Sequence, residues 1–214
     1  MITLKYEDIW GFEHAVRGMR NPMNSWNKSD TFVDSDLVLL GKKDKELMKR
    51  LIHAGTSHRK FLRQIFVSVD ITAPLYWWKE FDTYKVGTVA NSCSTMHKIH
   101  DKEFTLDDFS HEHCDTLTTD ILELHIIPTL NIYRKLYCGI ESGERNGQKS
   151  DWWQMIQLLP SSYNQKRTVT MNYENLLNIY ETRRNHKLDE WKDFCKWIER
   201  LPNAELITGE EAVK

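Results

Sequence analysis

Three short stretches of this chain carry the residue types that hold charged ligands. His58, Arg59 and Lys60 set one imidazole beside two cations at the entry to an alternating apolar run. Such a trio can contact a ring system and meet phosphate oxygens, or stand as a solvated strand entry. Asn91, Ser94 and Thr95 follow Gly87 in a small polar turn. Backbone and hydroxyl donors in such a turn can cradle a phosphate, although an ordinary Asn/Ser turn has the same composition. Arg183 is followed by Arg184, His186 and Lys187, a basic end that offers anion contacts and also complements a helix dipole. No nucleophile elbow or Ser-His-Asp order surrounds Ser94, so the chemistry it suggests is ligand orientation rather than attack. His97, His100, His111, His113 and Cys114 crowd into eighteen residues. Their spacing lacks the second half of a structural zinc site, and no metal is expected.

The elements that would position these groups are legible in the apolar spacing. Glu7–Met19 places Ile9, Trp10, Phe12, Ala15, Val16 and Met19 as an amphipathic helix would. Residues 20–34 are turn-rich and predict a loop ending in a helix cap. A helix through Leu47, Leu51 and Ile52 stops at Gly55. The period then switches to two: Ile65, Val67, Val69 and Ile71 alternate with Phe66, Ser68 and Asp70, which predicts a strand. Pro74 opens a helix carrying Trp77, Trp78 and Phe81 inward. Residues 98–118 look like a charged excursion from the core. Thr119–Leu136 has the apolar density of a long buried helix, kinked at Pro128. Residues 139–150 predict a surface loop before a short helix at Asp151–Leu158. A strand at Thr168–Met171 leads into a helix capped by Asn172. Asn172–Arg183 and Leu188–Leu201 form a helical pair, and the tail after Pro202 looks frayed.

Composition narrows the function classes. The chain has 214 residues, 40% hydrophobic and 28% charged, which is enough for one sizeable core and predicts a single domain over 1–214. A net charge of -2 argues against a nucleic-acid binder, which needs a basic excess. No apolar run reaches the length of a membrane span, and the first residues lack a signal-peptide core, so neither membrane nor secretion is expected. Cys93, Cys114, Cys138 and Cys195 are scattered without a CxxC pair, which favours free thiols in a reducing cytoplasm. Trp77–Trp78 and Trp152–Trp153 are packing anchors or interface residues.

Two segments together point to a family. Thr72–His97 contains Ala73-Pro74, the helical WWKEFD, then Thr83-Tyr84-Lys85 and Asn91-Ser92-Cys93-Ser94-Thr95-Met96-His97. Upstream stand Ser57-His58. Leu158–Arg183, with the residues just beyond it, supplies a Leu159-Pro160 corner, Tyr163, Thr170, Asn172, Leu176, Asn178, Arg183 and Trp191. In order and spacing, over roughly residues 45–200, the chain resembles the flavin-dependent thymidylate synthases. The resemblance implies a mixed α/β (α+β) fold of the thymidylate synthase-complementing-protein type, with a central, mostly antiparallel sheet and packed helices. It also implies FAD as cofactor, NADPH and methylenetetrahydrofolate as cosubstrates, dUMP or an analogue as the pyrimidine deoxynucleotide, and a cytoplasmic homotetramer. The reaction it implies is the reductive methylation of dUMP to dTMP, the work of a methyltransferase of thymidylate synthase type.

The same resemblance assigns roles residue by residue. His58, Thr83, Tyr84, Lys85, Asn178 and Lys187 fall where the flavin is held. Glu80, Ser92, Ser94 and Arg183 fall where the nucleotide is bound, and Arg183 and Ser94 are the pair nearest the chemistry. The departures are chemical. The two arginines of the family's Arg-His-Arg triplet read Thr83 and Lys85, its Gln and Glu correspond to Glu80 and Ser92, and its Arg-Tyr pair becomes Met96-His97. The arginine ahead of the Leu-Pro corner falls near Ile156. Lysine still offers a point charge to phosphate but lacks the guanidinium fork. Each lost charge-assisted contact costs ~1.5–3 kcal/mol, so the same ligand is not held in the same way. Two alternatives stand beside the synthase: a catalytically inactive nucleotide- or flavin-binding homologue, and an enzyme acting on a different pyrimidine nucleotide.

Overall fold

The structure, a computed structural model, describes residues 1–34, 37–140 and 147–209. In chain order it begins with β1 (Thr3–Trp10), α1 (Phe12–Arg20), β2 (Phe32–Asp34), β3 (Leu37–Leu39), α2 (Lys42–His53), β4 (Phe66–Pro74), α3 (Leu75–Phe81), β5 (Val89–Ser92) and α4 (Thr95–Lys98). It continues through α5 (Thr116–Ile121), α6 (Ile127–Cys138), α7 (Lys149–Leu158), β6 (Asn164–Asn172), α8 (Tyr173–Arg183), α9 (Asp189–Ile198) and α10 (Glu205–Thr208). Four strands make an antiparallel sheet of order β1-β4-β6-β5, and β2 pairs with β3 separately. The fold is therefore mixed α/β with an antiparallel sheet. No helix among the described residues is long and apolar enough to cross a membrane. The chain divides into two compact units. The first comprises Met1–Thr3, Ile71–Thr83 and Asn91–Arg167, and the second Leu4–Asp70, Tyr84–Ala90 and Thr168–Lys214.

In the second unit, Val67 and Val69 of β4 are buried as their alternation predicts. Across the ladder, the Thr168 hydroxyl donates to Asp70 at 2.6 Å and that of Thr170 to Ser68 at 3.2 Å. At the start of α8, Asn172 and Asn175 form a reciprocal cap. The Asn175 N–H donates to Asn172 Oδ1 at 3.0 Å, and the Asn172 N–H to Asn175 Oδ1 at 3.2 Å. Leu176, Ile179 and Tyr180 of α8 and Trp191, Phe194 and Ile198 of α9 are buried, as expected for an amphipathic pair.

Three expectations in this unit are corrected. Glu7–Met19 is not one helix, because β1 runs to Trp10 and α1 starts at Phe12. Gly11 lies between them at φ 97, where a Cβ would sit 1.9 Å from the Gln64 carbonyl oxygen. That close approach forces the break in period. The turn-rich segment ends in β2, not in a helix cap. Within the described residues after Pro202 the expected fraying is replaced by α10, which buries Leu206 and Ile207.

In the first unit, Pro74 ends β4 and caps α3, and Trp77, Trp78 and Phe81 are buried as expected. The Trp78 indole N–H donates to the Gln165 carbonyl at 2.9 Å. Residues 98–118 are not an excursion. Ile99, Phe104 and Phe109 join Leu122, Ile127, Leu130 and Met155 in a buried cluster. At ~1.5–3 kcal/mol per buried side chain, that is core rather than loop. Asn131 ties it down through two 2.9 Å bonds with the Phe104 backbone, one to the N–H and one to the carbonyl.

The expected long buried helix is also corrected. A π-helical turn, Leu122–Ile126, joins α5 to α6, and Pro128 falls in the first turn of α6. Only one face is buried; Leu117, Leu124 and Ile132 stand well exposed. The predicted surface loop at 139–150 lies largely outside the described residues, and α7 begins at Lys149.

Candidate functional site

The second unit brings Tyr84 and Arg183 together although ninety-nine positions separate them. Arg183 ends α8 and Tyr84 follows α3. The Arg183 Nε–H donates to the Tyr84 hydroxyl oxygen at 2.9 Å, and that oxygen lies 2.8 Å from Thr182 Oγ1. The guanidinium carbon is 5.0 Å from the Trp191 ring centre and 5.6 Å from that of Tyr84. The two rings meet edge to face at 6.0 Å. An arginine held between aromatic faces keeps its guanidinium plane fixed. Next to it the loop is clamped. Asn175 Nδ2 donates to the Val86 carbonyl at 2.5 Å, and Gly87 at φ 77 leaves space that a Cβ would narrow to 3.0 Å from Asn172 and Asn175.

His58 is exposed at the start of the turn Arg59–Gln64. Arg59 donates to Glu174 Oε1 at 3.2 Å and to Asn178 Oδ1 at 3.1 Å, and Arg63 pairs with the same carboxylate. Burial raises the Glu174 pKa, but the hydrogen bonds and charges of Arg63 and Arg59 outweigh it and hold the carboxyl below its ordinary range. Beside this network lies a cavity of about 430 Å³ whose lining includes Lys49, His53, Arg59, Tyr180 and Arg184. Lys85 and Lys187 are exposed in the same unit.

The remaining candidates fall in the first unit. Thr83 Oγ1 donates to the Glu80 carbonyl at 2.7 Å, closing the end of α3. Ser92 is exposed at the end of β5. Ser94 Oγ accepts the His97 N–H at 3.1 Å, capping α4. Ser94 also lines a cavity of about 650 Å³ with Cys93, Lys98, His111 and Tyr163. Burial, then the charges of Asp108 and Cys93, push the Tyr163 phenol pKa up. Among the described residues no three His, Cys, Asp or Glu side chains converge as a metal site. All four cysteines are free.

The sequence missed how Lys49, His53, Tyr180 and Arg184 share one cavity, since α2 and α8 are far apart in the chain. It also missed Trp191 as the floor under Arg183. Its only trace is the spacing of a tryptophan two turns beyond a basic helix end.

Each unit carries cationic and aromatic side chains on the mixed α/β scaffold. No family model matches the chain, and no curated protein matches its sequence. Solved structures do match its fold. The flavin-dependent thymidylate synthase ThyX from Helicobacter pylori, complexed with FAD and dUMP, superimposes with a TM-score of 0.65 at 17% identity, covering 100% of this chain and 99% of that one. A second structure of ThyX from Helicobacter pylori with FAD and dUMP gives 0.64 at 16%, covering 100% and 98%. The likeness establishes the fold.

Proposed function

We propose that residues 1–214 act as one flavin-dependent thymidylate synthase-like domain that binds FAD and a pyrimidine deoxynucleotide, dUMP or an analogue. The observation that carries this proposal is the end-to-end fold match with an enzyme solved in complex with FAD and dUMP. His58, Tyr84, Lys85, Asn178 and Lys187 are assigned to the flavin, and Glu80, Ser92, Ser94 and Arg183 to the nucleotide. These residues fit a flavin nucleotide in part. Lys85 is an exposed cation, whereas Thr83, bonded to the Glu80 carbonyl, brings no charge to a phosphate. Bound FAD would supply hydride recharged by NADPH, with methylenetetrahydrofolate as carbon donor for the reductive methylation of dUMP to dTMP. Arg183 orients. Its stack on Trp191 and its bond to Tyr84 fix the guanidinium plane, which is what directional contact with phosphate or uracil oxygens requires. The family resemblance further motivates a homotetramer and a cytoplasmic location.

The proposal is tested by the visible spectrum of the purified protein, FAD titration, and NADPH oxidation with and without dUMP. A colourless protein that also fails to bind added FAD overturns it. A specific observation favours a second reading, a nucleotide binder without turnover: Thr83 and Met96 stand where the family has arginines. FAD or dUMP binding without dUMP-dependent NADPH oxidation would select it. Turnover with another pyrimidine nucleotide would select the third.

A further inference from the structure

The cavity of about 430 Å³ in the second unit uses a part of α8 that the flavin and nucleotide assignments leave aside. Tyr180 and Arg184 line it from α8, whereas Asn178 and Arg183 do not. Lys49 and His53, four residues apart, line it from one face of α2. Arg59 completes the set from the turn between α2 and β4.

The cations keep donors for a ligand. Arg59 uses Nε toward Glu174 at 3.2 Å and Nη2 toward Asn178 at 3.1 Å, and among the described residues its Nη1 bonds nothing. Those two contacts fix the plane of its fork. Arg184 is exposed and forms no ion pair among the described residues; its guanidinium carbon lies 5.9 Å from the Tyr180 ring centre. The Tyr180 hydroxyl donates to Glu199 at 3.0 Å and anchors that ring. Two carboxylates also line the cavity. Glu205 is engaged by Lys45 at 2.9 Å, so its charge is already compensated. Glu181 is exposed and forms no ion pair among the described residues. Lysine and arginine donors converging on one space suit a phosphate, whose oxygens only accept. A carboxylate among them only accepts too, so it needs a donor on the ligand, and sugar hydroxyls supply one. The volume falls within the ~300–1,000 Å³ of small-molecule sites.

We propose that this cavity is a second anion site, separate from the flavin and nucleotide site, and that it binds a sugar phosphate. Lys49, Arg59 and Arg184 take the phosphate, His53 adds an imidazole donor, and Glu181 accepts from the hydroxyls. The site stands on this cavity alone and holds whether or not the chain binds FAD or dUMP.

Isothermal titration calorimetry of the full chain with ribose 5-phosphate and with inorganic phosphate tests it. Physiological ionic strength screens diffuse surface attraction, so the heat reports a specific contact. Ribose 5-phosphate is expected to bind in the micromolar-to-millimolar range, roughly tenfold tighter than inorganic phosphate through its hydroxyl contacts. K49Q/R184Q should weaken both ligands by at least about tenfold with an unchanged far-UV circular dichroism spectrum. If that spectrum changes, Arg184→Gln alone carries the test, since Arg184 is exposed. Glu181→Ala should weaken ribose 5-phosphate and leave inorganic phosphate no weaker. Arg183→Ala should leave both affinities unchanged. No binding of either probe at millimolar concentration overturns the proposal, as does unchanged affinity in the Arg184 variants. A loss in Arg183→Ala as large as that in Arg184→Gln also overturns it, because the phosphate then sits at the nucleotide site. Equal affinity for the two probes overturns the sugar phosphate assignment in favour of free phosphate.

Discussion

The Arg183 guanidinium lies 5.0 Å from the Trp191 ring centre while its Nε–H donates to the Tyr84 hydroxyl. This pairing makes Arg183 part of the fold as well as a ligand candidate, and the two roles separate by substitution. Arg183→Ala should lower unfolding free energy by ~1–2 kcal/mol through the lost stack and hydrogen bond, and weaken dUMP binding at least tenfold. Tyr84→Phe removes only the hydroxyl bond and should leave most of the stability. Calorimetric titration with dUMP alongside urea melts checks both; unchanged dUMP affinity in Arg183→Ala would remove that residue from the nucleotide site.

Asp44 supports the second unit from beneath α1. Its carboxylate accepts from Arg20 Nε at 2.6 Å, Ser29 Oγ at 2.7 Å, and the Thr31 hydroxyl and N–H at 2.7 and 3.0 Å. Burial pushes its pKa up, but the bonds from Ser29, Thr31 and Arg20, with the Arg20 charge, hold it below the ordinary 3.8. A depressed folded pKa stabilises above the unfolded value and loses that contribution as pH falls through the folded one. Wild-type stability should therefore fall on acidification below pH ~3.9. Asp44→Asn should flatten that acid limb and cost ~3–5 kcal/mol at neutral pH by leaving Arg20 buried and uncompensated. Urea melts across pH measure both.

Gly11→Ala combines a positive φ with a backbone collision. The left-handed conformation alone costs ~1–2 kcal/mol for a residue with a Cβ, and the contact with the Gln64 carbonyl cannot relax by side-chain motion. A loss of at least ~3 kcal/mol in thermal or urea unfolding is expected. Gly55→Ala, where no atom lies within 4 Å of the added Cβ, should cost only the conformational part and serves as the control.

The Asn172–Asn175 cap holds both a helix end and the loop after Tyr84. Asn172→Ala should cost ~1 kcal/mol as a lost cap. Asn175→Ala removes the reciprocal bond and also the contact with Val86, and should raise amide exchange across residues 84–88 as well. Hydrogen exchange by mass spectrometry distinguishes the two. Equal exchange in both variants would mean that the cap alone governs the loop.

Elements whose two faces differ sharply were legible in the sequence. β4 and the α8–α9 pair keep to their apolar periods, and Asn172 caps where its side chain and position dictate. What escaped was set by distant partners. Gly11 breaks a helical period because Gln64 approaches it, fifty-three positions away. Phe104 and Phe109 are core because Asn131 and Met155 meet them, and no local period records that. Trp191 beneath Arg183 escaped for the same reason, although Arg183 and Tyr84 were each singled out by their place in a spacing pattern. Thr83 and Ser94 were also singled out, and their hydroxyls bond to local backbone groups, a geometry that composition does not encode.

The π turn of Leu122–Ile126 makes the helix intolerant of length change. Each residue added or removed rotates the downstream turns by about 100°, so deleting one residue would straighten the coil while swinging Ile127 and Leu130 away from Met155. Restoring their packing would in turn carry Ile132 and Leu136 off the exposed side of the helix. The surplus residue acts as a phase setter, keeping two apolar faces in step along one rod that a uniform helix could align only singly.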